Sequence, residues 1–297
     1  MAGTGGPMWW RRGMGGVVLV ALSTGGLQGC TAPPPSGRMA EARALASALH
    51  HAFTESIEAA NRAVMAGSDT AATAAANEAR EAMAAVERHD KALREVLQSL
   101  GYHTELKRLD GFAPRFAEYR RLTDDMLVLV LENTNVKAQR LAFGPATDAA
   151  EAFHAALESA AKAAPGAAGC CAGEQATRAW AAVLEIRALH ARHIAEADEA
   201  EMSRMEAAMS ASAGAARAAV DALARTQPGS AAIASARDAL DRFMTVQEEI
   251  IDLSRRNSNV RALAMSLGRN RTIAAECEAG LQAVEDALAG RESGPTR

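Results

Sequence analysis

From about Met39 onward, apolar residues return every three or four positions, and no stretch alternates apolar with polar residues as a half-buried strand would. Alanine, leucine, glutamate, arginine and methionine, all strong helix formers, dominate the pattern. The chain therefore reads as all-α. Breakers gather near Gly101, at Gly111 to Pro114, around Pro165 to Gly173 and at Pro228-Gly229. They leave four helical stretches, at about 38–101, 105–163, 174–226 and 230–289. At 1.5 Å per residue the last two are rods of about 80 Å. Short connections between such rods make neighbours antiparallel, so the expected fold is an elongated up-down-up-down four-helix bundle.

The pattern is also written twice. Residues 129–144 read LVLENTNVKAQRLAFG and residues 253–268 read LSRRNSNVRALAMSLG. Leu129, Asn133, Asn135, Val136, Ala138 and Gly144 recur as Leu253, Asn257, Asn259, Val260, Ala262 and Gly268, 124 residues on. Four of the chain's seven asparagines sit in these phrases, which makes coincidence a poor explanation. A duplicated helical hairpin follows, with repeat 1 at about 38–165 and repeat 2 at about 174–289. Matching Leu49-His50 to Leu189-His190 gives the first helix about sixteen extra residues, placed around Gly67 to Ala76. Pro145 after Gly144 should kink the second helix, whereas Gly268-Arg269 lets the fourth run through.

On a continuous helix, Tyr119, Leu122, Met126, Leu129, Asn133, Val136 and Phe143 share one face, as do their counterparts 243 to 267. Asn133 and Asn257 then fall on the buried stripe, at similar height across the core, and Asn135 and Asn259 point outward. A buried amide left unpaired costs about 1–3 kcal/mol. Two readings satisfy it: a polar layer that sets register, or a small-molecule pocket shared with a carboxylate such as Asp198, Glu201 or Glu81.

The N-terminus changes the picture of where this happens. Arg11 and Arg12 precede a short apolar run that ends at Leu27-Gln28-Gly29-Cys30. The four residues resemble the lipobox of bacterial lipoproteins, which implies that 1–29 is a signal peptide and Cys30 is lipidated. A plain cleaved signal, an uncleaved anchor and a twin-arginine signal are the competing readings. Residues 30–37, with Pro33-Pro34-Pro35, read as a stiff tether, 38–290 as the bundle and 291–297 as a disordered tail. The protein is then expected in the bacterial cell envelope, facing the periplasm or exterior and held to a membrane by lipid.

Charge and chemistry exclude more than they add. The net charge of −4 is scattered and forms no basic face, which argues against nucleic acid. Apart from Cys30 the cysteines are Cys170, Cys171 and Cys277, and a disulfide from Cys277 to Cys170 or Cys171 is a candidate. His190 and His193, one turn apart, are a candidate metal pair, with His50 and His51 as repeat counterparts. Glu151 and His154 make one Glu-x-x-His pair without the second that a di-iron bundle needs. Met202, Met205 and Met209 read as core, and Trp180 as a packing anchor. No nucleophile paired with a base and no phosphate loop is visible, so neither an enzyme nor a cofactor is expected.

The phrases NTNVKAQRLAFG and NSNVRALAMSLG, after long amphipathic stretches bearing Tyr119 or Phe243, resemble the membrane-distal part of four-helix-bundle sensor domains of bacterial methyl-accepting chemotaxis receptors. The resemblance implies a helical, extracytoplasmic module that binds a small ligand or a binding protein. It covers about half of the mature chain. No second membrane span, linker or cytoplasmic signalling hairpin accompanies it, so a signal would pass through a protein partner or homodimer. A structural or assembly lipoprotein is the alternative, and a divalent-metal-binding bundle the third reading.

Overall fold

In a computed structural model of the 297-residue chain, the structure describes residues 35–164 and 167–291. The signal segment, Cys30 and most of the expected tether lie outside these residues. Among the described residues the fold is all-α, without strands. Helix α1 spans Pro35–Val64, α2 Asp69–Leu100, α3 His103–Glu132, α4 Thr134–Phe143 and α5 Pro145–Ala163. The second repeat follows with α6 Ala167–Ala195, α7 Glu199–Thr226, α8 Ala231–Arg256, α9 Ser258–Met265 and α10 Arg271–Gly290, a π-helical turn at Ser266–Asn270 joining the last two.

The expected single bundle of four rods is not formed, because two of the rods are hairpins. The stretch 38–101 turns back at 65–68, where Ser68 caps α2 by accepting a hydrogen bond from Ala71 N. The stretch 174–226 turns back at 196–198, where Asp198 caps α7 through the N–H groups of Ala200 and Glu201. Each repeat is thus two short helices followed by one long, broken rod. With helices of 30 and 32 residues in the first hairpin and 29 and 28 in the second, the first carries no sixteen-residue insertion. Pro35 to Gly37 begin α1 instead of extending the tether.

The extra reversals decide how the rods meet. Rod α3–α4–α5 runs antiparallel to rod α8–α9–α10, as pairings of Glu105 with Arg291, Arg115 with Glu276 and Glu118 with Arg269 record. Helices α1, α2, α3 and α10 close one ring of neighbours, and α6, α7, α8 and α5 close another. The first ring buries Phe53, Phe112, Phe116 and Tyr119, with Phe53 edge-on to Tyr119 at 5.0 Å. The second buries Phe153, Leu157, Val183, Ile186, Leu240 and Phe243, together with Met205 and Met209. The two rods belong to both.

Both rods break twice, at equivalent places. Asn133 and Asn257 take left-handed backbone conformations, φ 52° and 51°. Gly144 follows at φ −109°, ψ −97° and Gly268 at φ −93°, ψ −122°. The fourth rod therefore does not run through at Gly268; the duplicated glycine interrupts it even without a proline. At Gly144 a Cβ would lie 3.0 Å from the Arg140 carbonyl oxygen, which accounts for glycine there.

Candidate functional site

The repeated phrases meet at the point where the rods cross between the two rings. Four N–H groups at each helix start lack partners within the helix, and the left-handed Asn133 and Asn257 do not cap α4 and α9 with their own side chains. The opposite rod supplies the caps. Thr134 N donates to Ser258 Oγ and Ser258 N to Thr134 Oγ1, both at 3.0 Å. Asn135 N donates to Asn259 Oδ1 at 3.1 Å and Asn259 N to Asn135 Oδ1 at 3.0 Å. The amides close the circuit: Asn135 Nδ2 reaches Asn257 Oδ1 at 2.8 Å, and Asn259 Nδ2 reaches Asn133 Oδ1 at 2.9 Å. Side-chain oxygens thereby meet two positive helix ends.

The same residues tie down the hairpin turns. Asn133 Nδ2 donates to Asp69 Oδ1 at 2.6 Å, and this bond is the main cause that holds the Asp69 carboxyl below its ordinary pKa. Asn257 Nδ2 donates to the Glu196 carbonyl at 2.7 Å, and Asn135 Nδ2 also to the Ile194 carbonyl at 2.6 Å. Asn133 and Asn257 are buried as expected, but Asn135 and Asn259 turn into the junction instead of outward. The left-handed residue resets the helical phase, so a face counted through it is wrong.

Of the two readings, the polar layer fits these bonds, since the asparagines bond to one another, to Asp69 and to the hairpin turns, and the carboxylates of the pocket reading lie elsewhere. Asp198 is an exposed cap. Glu201 pairs with Arg192 at 2.5 Å and Arg204 at 2.9 Å. Glu81 is exposed between α1 and α2, in a shallow groove with Glu55, Glu58 and Glu78. None of the three carboxylates bonds to the asparagines.

His190 and His193, the candidate metal pair, have different partners. His193 is fully buried between Ser254 Oγ at 2.9 Å and Glu206 Oε1 at 2.8 Å, and Arg255 grips the same Glu206 through Nε and Nη2. The Arg255 hydrogen bond, first, holds the Glu206 carboxyl below its ordinary pKa. His190 stacks on Phe243 with centroids 6.1 Å apart. No group of three potential metal ligands occurs among the described residues. His50 pairs with Glu285 at 2.8 Å and exposed His51 with Glu55. The three cysteines among the described residues are free: Cys277 is buried in the first ring, and Cys170 and Cys171 are exposed on α6, which packs in the second. The expected disulfide fails because the hairpin topology assigns the two ends of the pair to different rings. Burial pushes the Cys277 thiol up to about 12. Arg291, assigned by sequence to a disordered tail, instead holds buried Glu105 through two bonds of 2.6 and 2.7 Å.

One site was missed. A groove of about 600 Å³ opens between α1 and the α9–α10 part of the second rod. Met65, Leu263 and Leu267 supply exposed apolar wall, Met65 at 76% and Leu267 at 63% exposure. Tyr119, Asn61, Ser266 and Asn270 supply polar lining. Ser266 donates to Asn61 Oδ1 at 3.1 Å and Thr123 to Asn270 Oδ1 at 3.4 Å. The Tyr119 hydroxyl lies 3.3 Å from Ser56 Oγ, and burial raises its pKa. The segment 266–270, kinked at Gly268, forms part of the wall.

The other repeat lacks this lining. At the 124-residue spacing, Tyr119, Ser266 and Asn270 are answered by Phe243, Ala142 and Ala146, all buried. Arg271 is answered by Thr147, which accepts from Arg187 at 3.1 Å, and Glu278 by His154, stacked on Trp180 at 4.4 Å. Three of the polar positions, Tyr119, Ser266 and Asn270, are thus apolar in the other half, and the two charged ones become neutral or aromatic groups engaged within the fold. That comparison of the two halves is the sequence signal that would have revealed the groove. No protein-family model matches this chain, and no curated protein matches it either.

Proposed function

We propose that this chain is an extracytoplasmic binding and sensory module of the bacterial envelope, anchored to a membrane through lipid on Cys30 and working through a protein partner or as a homodimer. The observation that carries the reading is the groove between α1 and α9–α10, where Tyr119, Ser266 and Asn270 stand at positions that the other repeat fills with phenylalanine and alanine. Selective pressure on the fold alone would treat the two halves alike. The likeness of the repeated phrases to chemoreceptor sensor domains points the same way. A thermal-shift screen of the mature protein against small metabolites tests it, with the Met65 methyl signal as a local reporter. A compound that raises the melting temperature, moves Met65 and loses its effect on Asn270→Ala is the expected result. A broad library that leaves both readouts unchanged removes the reading. Mass spectrometry of the mature N-terminus tests the anchor.

A structural lipoprotein is the second reading, and the asparagine junction favours it, because every repeated asparagine there is engaged in holding the rods together. In that case variants of the groove that fold normally keep full function in cells.

A further inference from the structure

At the Arg271 end of the groove, donors outnumber acceptors among the polar groups left free. Both amide oxygens accept a hydrogen bond, exposed Asn61 Oδ1 from the Ser266 hydroxyl and buried Asn270 Oδ1 from the Thr123 hydroxyl. What each amide still offers is its Nδ2, a donor. Arg271, exposed on the rim, adds a guanidinium with no ion-pair partner among the described residues. Ser266 Oγ, its proton given to Asn61, keeps acceptor capacity, but both amide nitrogens and the guanidinium are donors, and this end of the groove carries positive charge. Glu278, the other unpaired charge on the lining, stands two helical turns farther along α10, about 10 Å away.

We propose that the groove binds a free apolar monocarboxylate. Its carboxylate is held by Arg271 together with the Asn61 and Asn270 amides, and its hydrocarbon body lies against Met65, Leu263 and Leu267. A carboxylate accepts only, matches the planar guanidinium in two bonds, and gains most where water is partly excluded. The apolar walls add burial of a chain or ring. Glu278 sets the upper limit on charge: a second carboxylate at the far end of the ligand meets a like charge. The volume of about 600 Å³ is that of a small-molecule site and commits the proposal to a free acid instead of a two-chain membrane lipid. The inference rests on the groove being the binding site of the proposed function.

Calorimetric titration of the mature protein with octanoate, octan-1-ol and the eight-carbon dicarboxylate suberate tests it. Octanoate is expected to bind saturably at one site and to move the Met65 methyl signal. Arg271→Gln, a rim substitution verified to fold by circular dichroism, weakens octanoate about tenfold, the loss of one charge-assisted contact. Suberate binds at least about tenfold more weakly than octanoate and recovers on Glu278→Gln. Octanoate binding that equals that of octanol and ignores Arg271→Gln is apolar adherence and overturns the proposal. Another compound class that moves Met65 where octanoate does not overturns the ligand class and leaves the groove as the site. No compound of any class moving Met65 removes the groove reading itself.

Discussion

Asn133 and Asn257 combine two tasks at one residue: a left-handed backbone and a side chain that bonds on both sides. Outside glycine, asparagine tolerates that backbone best, whereas alanine is strained there by roughly 1–2 kcal/mol. Replacing Asn133 by glycine or alanine removes the same hydrogen bonds, so the difference between the variants isolates the backbone. Urea unfolding is expected to find Asn133→Ala less stable than Asn133→Gly by about 1 kcal/mol. Asp69 loses its amide donor in both. His190 carries a second residue-scale expectation. Burial first, then the neighbouring Arg187 and His193, lower its pKa to about 4. The folded chain thus binds its proton less readily than the unfolded chain does. Between pH 6.5 and about 4 the unfolded state holds more protons, so stability rises with pH through that window and falls as the solution is acidified. The contribution is on the order of 3 kcal/mol, complete above the unfolded value near 6.5. Glu206 and Glu105, with lowered values, add their losses at lower pH. His190→Leu should flatten the stability profile between pH 4 and 6.5 and leave the more acidic limb in place, as denaturant titrations at stepped pH would record.

At the scale of elements, the caps decide where helices stop. Asp198 with Glu201 three residues later is the pattern of an N-cap and its N3 partner, and it marks the α6–α7 turn in a stretch without glycine or proline. At the other turn, Gly67-Ser68-Asp69 signals the start of α2. Both signals are legible, but a continuous apolar period hides them, since two antiparallel helices and one long helix share the same spacing of apolar residues. The end of α10 shows the reverse case. Arg291 reaches back to Glu105, which is 2% exposed, and its guanidinium stacks over Tyr102 at 3.9 Å. Arg291→Ala leaves a buried carboxylate with its main partner gone and is expected to destabilise the protein by about 2–3 kcal/mol at pH 7. The loss should shrink as the pH falls through the lowered Glu105 pKa, because a protonated carboxyl needs the guanidinium less. Thermal melts of both proteins from pH 7 to pH 3 check this.

At the scale of the molecule, two rings of four helices share two rods, and the reciprocal bonds at 133–135 and 257–259 are where one ring ends and the other begins. Replacing Asn135 and Asn259 together by alanine removes both swapped amide caps and leaves the Thr134 and Ser258 exchange in place. The double variant is expected to unfold in two resolved steps in urea, where the wild type unfolds in one. Hydrogen exchange is expected to speed up first at α4 and α9.

The sequence by itself determined that the chain is helical, that one phrase is written twice, and that Asn133 and Asn257 are buried at corresponding places. Helix-forming composition and a three-four apolar period are local properties, and a repeat is visible without coordinates. Tertiary structure alone decided that 38–101 and 174–226 fold back as hairpins, that the rods are antiparallel, and that Asn135 and Asn259 face inward. These depend on the direction of the chain after each turn and on helical phase after a left-handed residue, which periodicity does not carry. The groove followed the same division. Its residues are scattered over α1, α3 and the second rod, and only packing brings Asn61, Tyr119 and Asn270 to one surface.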